Sequence, residues 1–299
     1  MSAVDVERVM PRGLDAPSRG RVTRNTIATV LVYAAFAFAM VPLVWILYTV
    51  LLDGFSLVVH SSWWTNSQRN ITQAKVGGGA YHAIFGTLTE ALACAVIAVP
   101  LAVFTAIYLV EYGRGRLARL VSFMVDILTG IPSIVAALFL YALWVTTFGF
   151  QRVGFAVSLS LVLLMIPVVV RSTEEMLKLV PNELREASYA LGVPKWKTIA
   201  RIVLPTALGG IVTGIMLGLA RVMGETAPLL ILGPYTASIN TDLLDGNIAA
   251  LPTMIRDNFG TGDQAATDRM WAAALTLILL VLLLNVAGRF VASFSGVKK

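Results

Sequence analysis

The chain has 299 residues, of which 57% are hydrophobic and only 13% are charged, and its formal net charge is +6. A soluble globular domain has about 25% charged residues, so this composition indicates a membrane-embedded protein. The single cysteine excludes an intrachain disulfide. The sequence has no H-E-x-x-H, G-x-S-x-G or G-x-x-x-x-G-K-S/T motif, so we predict no catalytic residue, no metal site and no ATP site in this chain.

Six apolar runs are long enough to cross a bilayer, which takes about 20 residues. In chain order they cover residues 27–52, 83–110, 120–147, 153–170, 206–232 and 270–290. We therefore predict an all-α, polytopic membrane protein with six transmembrane helices. The first run is longer than the core of a signal peptide, which has about 7–15 residues, so we expect it to be retained as an uncleaved helix.

The basic residues predict the orientation. Six crossings place both termini and the loops 111–119 and 171–205 on one side, where 17 Lys and Arg residues lie, against 5 on the other side. By the positive-inside rule, both termini are expected to be cytoplasmic. Topology thus explains most of the positive charge, and we expect the lipid bilayer as a partner but no nucleic acid.

The apolar runs also divide the chain into segments. We predict a cytoplasmic N-terminal tail at 1–25, an additional N-terminal transmembrane helix at 26–52, a main transmembrane domain at 83–292 and a cytoplasmic C-terminal tail at 293–299. The main domain contains the long cytoplasmic loop 171–205.

That loop predicts a short amphipathic helix at about residues 183–191. Asn182 is expected to cap it, Glu183 suits the positive end of its dipole, and Gly192 allows the left-handed residue that ends it. The pattern leaves two functions open: a helix on the membrane surface, or a plug that fits a groove of a cytoplasmic partner.

The same loop resembles the EAA loop of ABC-importer permeases, whose pattern is E-A-A, three residues, G, nine residues and I-x-L-P. Ser188 in place of the second alanine is the one departure, and it exchanges one small residue for another. Over about residues 83–292, the resemblance implies a type I ABC importer permease fold, in which this loop docks into a cleft of an ATPase subunit. The residues that the resemblance assigns to this coupling loop are Glu183, Glu186, Ala187, Ser188, Gly192, Leu204 and Pro205.

The fifth apolar run contains two charges, Arg221 and Glu225. Four residues apart, they are predicted to share one helix face and to pair. A lone charge at the bilayer centre costs about 2.5–3.5 kcal/mol, so the two are either a static link between helices or part of a substrate pathway. A guanidinium fork suits oxyanions, and Glu225 would compete for Arg221 and so permit release. Arg171, at the end of the fourth run, is either a membrane-interface anchor or a third pathway residue.

Glycine and proline predict breaks inside two of the runs. One lies at Gly130-Ile131-Pro132-Ser133 in the third run, and the other lies where Pro228 follows the charged pair. Gly218 and Gly224 are expected to permit close helix approach.

Four segments resemble the PstA family, the permease subunits of bacterial phosphate importers. They are GIPSIVAALF, VVVRSTEEMLKLVP, REASYALG and ARVMGETAPLL. The resemblance implies that Arg221, Glu225 and Arg171 serve phosphate passage. It further implies a heterodimer with a homologous PstC-like permease, two PstB-like ATPase subunits that hold ATP and Mg, and an extracytoplasmic PstS-like phosphate-binding protein. It places the chain, without a cofactor of its own, in the bacterial cytoplasmic membrane.

Charge and geometry alone leave two other functions open. One is an ABC permease for another oxyanion, such as sulfate or molybdate. The other is a gradient-driven carrier or membrane sensor that works without an ATPase.

Overall fold

The computed structural model describes residues 19–295, and every regular element in that range is helical. The helices are α1 Arg19–Val58, α2 Ser61–Thr65, α3 Tyr81–Ile107, α4 Gly115–Gly130, α5 Ser133–Tyr141, α6 Gly154–Lys178, α7 Asn182–Ala190, α8 Lys195–Thr198, α9 Leu204–Met223, α10 Ala227–Leu232, α11 Leu251–Asn258 and α12 Gln264–Ser295. The structure also has three π-helical turns. One extends α3 over Tyr108–Tyr112, the next extends α5 over Ala142–Thr147, and the third joins α8 to α9 over Ile199–Val203.

The predicted all-helical membrane fold is confirmed. Five helices are long and apolar enough to cross a membrane, and the bent pair α4–α5 makes a sixth crossing if it is counted as one. The cytoplasmic location of both termini stays a prediction. Residues 1–18 and 296–299 lie outside the described residues, whereas 19–25 and 293–295 are helical. The cytoplasmic tails at 1–25 and 293–299 stay predictions.

The chain divides into two compact units between Thr49 and Val50. Most of α1 lies in the first unit, where its apolar side chains are largely exposed. The helix is longer at both ends than the predicted segment 26–52, because the apolar stretch alone does not mark where helical backbone stops.

Within the second unit, α6 is the central helix and packs against α3, α4, α5, α9 and α10. Small residues make its closest contacts possible, as is usual between membrane helices. On α3, they follow a spacing of four and are fully buried: Cys94, Ala98, Ala102 and Ala106. On α9, a Cβ at Gly218 would lie only 3.2 Å from Val169 Cγ2 of α6, so glycine lets these two helices approach closely.

The third predicted crossing is broken rather than straight. Helix α4 ends at Gly130, α5 begins at Ser133, and their axes differ by 104°. Pro132 disfavours helical backbone at the residue before it, and Ile131 is indeed extended, with φ −72° and ψ 125°. The break predicted inside the apolar run 120–147 is therefore confirmed.

The fifth predicted crossing, 206–232, is shifted along the chain. Its helix begins at Lys195, continues through a π turn into α9 and ends at Met223. Leu204 and Pro205, which were assigned to the loop, therefore lie inside the spanning helix. Pro205 is accommodated at the start of α9, where a missing backbone N–H is tolerated.

Candidate functional site

Arg221 and Glu225 pair across the end of a helix, not along one. Arg221 is in the last turn of α9, Gly224 caps the helix, and Glu225 lies beyond it. Arg221 Nε and Glu225 Oε1 are 3.8 Å apart, with the side chains 48% and 18% exposed. The prediction that both residues share a helix face was wrong, because the helix stops two residues before Glu225. The pair itself exists, but it is loose and open.

The break beside this pair comes earlier than the proline. The chain leaves helical structure at Gly224, and Pro228 stands in the first turn of α10, where proline suits the start of a helix. Gly218 does face α6 closely, as predicted. A Cβ at Gly224 would meet only the carbonyl oxygens of its own helix turn, at 3.7 Å or more. Gly224 therefore serves as a cap and not as a helix contact.

Arg171 has a far more crowded environment than Arg221. Its guanidinium donates to Glu174 Oε2 at 2.6 Å, to Ser122 Oγ at 3.0 Å and to Asp126 Oδ1. Lys178 donates to the other oxygen of Glu174 at 2.7 Å. Arg171 thus links α6 to α4 within a chain of alternating charges.

The predicted short helix of the 171–205 loop is α7. It ends in a Schellman motif: Gly192 has φ +73°, its N–H donates to Tyr189 O at 2.9 Å, and Val193 N–H donates to Ser188 O at 3.1 Å. The glycine stop was therefore predicted correctly. Asn182 is not the cap, because Pro181 occupies that position and Asn182 is already helical.

The residues assigned to the coupling loop point in two directions. Glu183, Glu186 and Ala187 are exposed, and so is Leu191 just after the helix, at 83%. We call these four residues the outer face of α7. Ser188 is buried on the opposite side, where its hydroxyl is 2.8 Å from that of Thr198. A small residue is required there because α7 rests on α8.

Three acidic residues escaped the sequence analysis. Glu90 is 2% exposed in α3, and its Oε1 has no hydrogen-bond partner among the described residues. Asp126 binds Arg171 from α4. Glu111, in the π turn after α3, pairs with Arg185 of α7 at 2.8 Å. Glu90 and Asp126 carry the signal that drew attention to Arg221, a charge inside an apolar run. The partner of Asp126, Arg171, lies too far away in sequence to be inferred.

On the side of the second unit opposite α7, another arginine, Arg269, holds several segments together. Arg269 of α12 donates to the carbonyls of Lys75 and Gln73, both at 2.7 Å, and to Asn258 Oδ1 at 3.2 Å. Burial raises the pKa of the nearby Asp257 carboxyl, an effect that the Arg269 guanidinium partly offsets. Arg269 therefore fixes the long loop that precedes α3.

Comparison with known families gives the class of protein. Residues 98–294 match the family described as "Binding-protein-dependent transport system inner membrane component". Solved structures of transporters share the fold. One is the MetNI methionine ABC transporter, at TM-score 0.57 and 22% identity, covering 73% of this chain and 95% of that chain. A bacterial alginate ABC transporter gives TM-score 0.60 at 15% identity, covering 89% and 94%. Fold and family together define a multi-pass membrane permease of a transport system.

Relatives with curated names narrow the class. The chain is 55% identical over 276 residues to phosphate transport system permease protein PstA 1 of Mycobacterium tuberculosis, covering 91% of each chain. It is 54% identical to the PstA protein of Mycobacterium leprae, again covering 91% of each. The PstA protein of Yersinia pestis is 41% identical and covers 91% of this chain and 90% of its own. The chain belongs to the PstA family of permease proteins.

Proposed function

We propose that this chain is the transmembrane permease subunit of an ATP-driven importer of inorganic phosphate and forms half of its translocation pathway. The observation that carries the substrate assignment is the 55% identity, over 91% of the chain, to a permease named for phosphate transport. The open, half-exposed Arg221 supports it, because a guanidinium fork matches two oxygens of a tetrahedral oxyanion.

The pathway role is proposed for Arg221 and Glu225. In the described residues, the Arg221 guanidinium makes one ion pair, which at 3.8 Å is too long for a hydrogen bond. Its donors are therefore available to an anion. Glu225 stands close enough to repel that anion and to compete for the arginine, so phosphate binds only transiently and can move on. Arg171 is bound by two carboxylates and serves in the pathway only if they release it.

The outer face of α7 is the proposed contact for the ATPase. Its exposed carboxylates and the exposed Leu191 suit a partner groove that is partly polar and partly apolar. The complete importer would contain a PstC-like permease, two PstB-like ATPase subunits and a PstS-like binding protein in the bacterial cytoplasmic membrane. ATP and Mg would bind to the ATPase subunits, and both termini of this chain would be cytoplasmic.

Uptake by the reconstituted importer tests this function. Proteoliposomes that hold the four subunit types and ATP are expected to accumulate labelled phosphate, and excess unlabelled phosphate should suppress the signal. Excess sulfate or molybdate should not. Equal competition by sulfate would support the wider oxyanion permease instead. Uptake that runs on an ion gradient without ATP would support a carrier of a different class.

A further inference from the structure

One arginine anchors the inner side of α7. Arg185 is only 12% exposed at its side chain, although most other residues of α7 are exposed. Its Nε and Nη2 donate to Glu111 Oε1 at 3.0 and 2.8 Å, its Nη1 donates to Val180 O at 2.7 Å, and its Nη2 donates to Leu177 O at 3.0 Å. A single guanidinium thus joins α7 to the π turn after α3 and to the end of α6.

The chemistry of this contact is specific for arginine. The last carbonyls of a helix lack partners within the helix and carry its partial negative charge, and Leu177 lies in the last turn of α6. A guanidinium has five donors in a fixed plane, so it can satisfy such carbonyls and a carboxylate at the same time. Lysine at this position would keep the charge but would not span all the acceptors.

The π turn that holds Glu111 connects to a third spanning helix. The Glu111 backbone carbonyl accepts a hydrogen bond from Lys195 Nζ, and that ammonium lies 4.7 Å from the centre of the Tyr112 ring. Lys195 begins the helix that continues into α9. The ends of α3 and α6 and the start of α8, which continues into α9, therefore meet around Glu111 and Arg185. The turn Tyr108–Tyr112 is a π helix, a departure from regular geometry that is frequent at functional sites.

The two sides of α7 thus differ in their exposure and in their contacts. Its outer face is exposed, whereas its inner side is fixed by a buried ion pair whose carboxylate is only 5% exposed. The segments on either side of α7 contain Pro181 and Gly192, the residues that bound the helix. A displacement of α7 would be absorbed in these segments unless side-chain contacts carried it further.

We propose that Arg185 and Glu111 are a positioning pair that transmits the movement of α7 to the ends of α3 and α6. The inference rests on the proposed function, since it assumes that an ATPase moves α7. Without the pair, α7 still binds the ATPase through its outer face and still rests on α8, but its movement no longer shifts α3 and α6. ATP is then hydrolysed without a matching amount of phosphate imported.

The test measures phosphate imported per ATP hydrolysed in proteoliposomes that hold the complete importer. Glu111→Gln and Arg185→Gln are each expected to lower this ratio by about fivefold or more, the lower end of a typical allosteric coupling. The double variant should lower it no further than Arg185→Gln alone, because that substitution already removes the guanidinium's bonds to Glu111 and to the end of α6. The double variant also removes both charges, so no unpaired buried charge disturbs folding.

Matched controls separate coupling from folding. Glu175→Gln and Arg116→Gln change exposed residues of the same types and should leave the ratio unchanged. Arg185→Lys should give an intermediate ratio. A purely structural role of the pair would reduce the amount of assembled complex, measured by co-purification of the ATPase, and would not change the phosphate-to-ATP ratio.

An unchanged ratio in both Glu111→Gln and Arg185→Gln would overturn the inference. This result is measured in the variants, whereas the proposed function is tested with the wild-type complex alone. The two failures can therefore be distinguished. If the wild-type complex imported sulfate in place of phosphate, the proposed substrate would be wrong. The ratio of sulfate to ATP in the same variants would then decide whether the pair transmits the movement.

Discussion

Arg171 and Arg221 both lie in spanning helices, but their guanidinium groups are occupied to different degrees. Arg171 holds two carboxylates and a serine, whereas Arg221 holds one distant carboxylate. A hydrogen bond to a charged group is worth about 1.5–3 kcal/mol, so an anion would have to compensate for several such losses at Arg171. We therefore assign the direct anion contact to Arg221 and the link between α4 and α6 to Arg171.

Replacing Glu225 by glutamine tests the proposed competition for Arg221. An open ion pair is worth about 1 kcal/mol or less. Removal of the charge should therefore lower the KM for phosphate by about fivefold or less, and slow release should lower the maximal rate. Initial uptake rates over a range of phosphate concentrations measure both, with Glu175→Gln as the control. Unchanged KM and rate, with normal membrane insertion, would make the pair a static link.

For individual residues, the sequence identifies which side chains are charged but not which partners they contact. Arg221 and Glu225 stood out because they interrupt an apolar run, and their nearness in sequence made the pair predictable. Asp126 and Arg171 are 45 residues apart, and Glu111 and Arg185 are 74 apart. Such pairs follow from the packing of α4 on α6 and from the position of α7 beside the π turn after α3, which no local pattern contains.

The short helix α7 is the element whose ends sequence predicted best. Its length agrees within one residue at each end, because the glycine stop is a local backbone property and does not depend on packing. The Asn182 cap was wrong for a local reason as well. Proline at 181 already supplies an extended residue without a donor, so the helix starts one residue earlier than a capping asparagine would allow.

Gly192→Ala tests the importance of that helix end. A left-handed backbone costs a residue with a Cβ about 1–2 kcal/mol, so the last turn of α7 should loosen. We expect less ATPase subunit to remain bound to the purified complex after a detergent wash.

Gly260→Ala provides the control for this substitution. Gly260 has φ +72°, close to the +73° of Gly192, and both have open space around a new Cβ. It therefore carries the same backbone strain but lies away from α7. Equal loss of the ATPase in both variants would show that general instability, and not the end of α7, controls retention.

The two interrupted crossings show how well proline and glycine predict the position of a helix break. Proline and glycine marked both regions, but only Pro132 lies at the break itself, whereas Pro228 begins the next helix. Proline predicts that regular structure changes nearby and is equally suited to ending one helix or starting another. The 104° angle between α4 and α5 depends on how both pack around α6 and lies beyond any local signal.

For the whole molecule, apolar length predicted the order of the spanning segments, and the EAA resemblance predicted the class of fold. The arrangement of α3, α9 and α6 was not predictable in detail, since the small residues that permit it occur throughout the sequence. Only their spacing of four on α3 distinguishes a buried face from a lipid-facing one. Large exposed apolar residues, by contrast, continue along most of α1 and on one side of α4. They are expected to face lipid or another subunit.

The most direct test of the account is ATP-driven uptake of labelled phosphate by the complete importer carrying Arg221→Gln. Arg221→Lys and Arg116→Gln serve as controls for charge and for loss of an exposed arginine. We predict that Arg221→Gln lowers kcat/KM for phosphate by about 10- to 100-fold, the value of one hydrogen bond between charged groups. Arg221→Lys should retain part of the activity, and all variants should assemble normally. Unchanged uptake in an assembled Arg221→Gln complex would contradict the account.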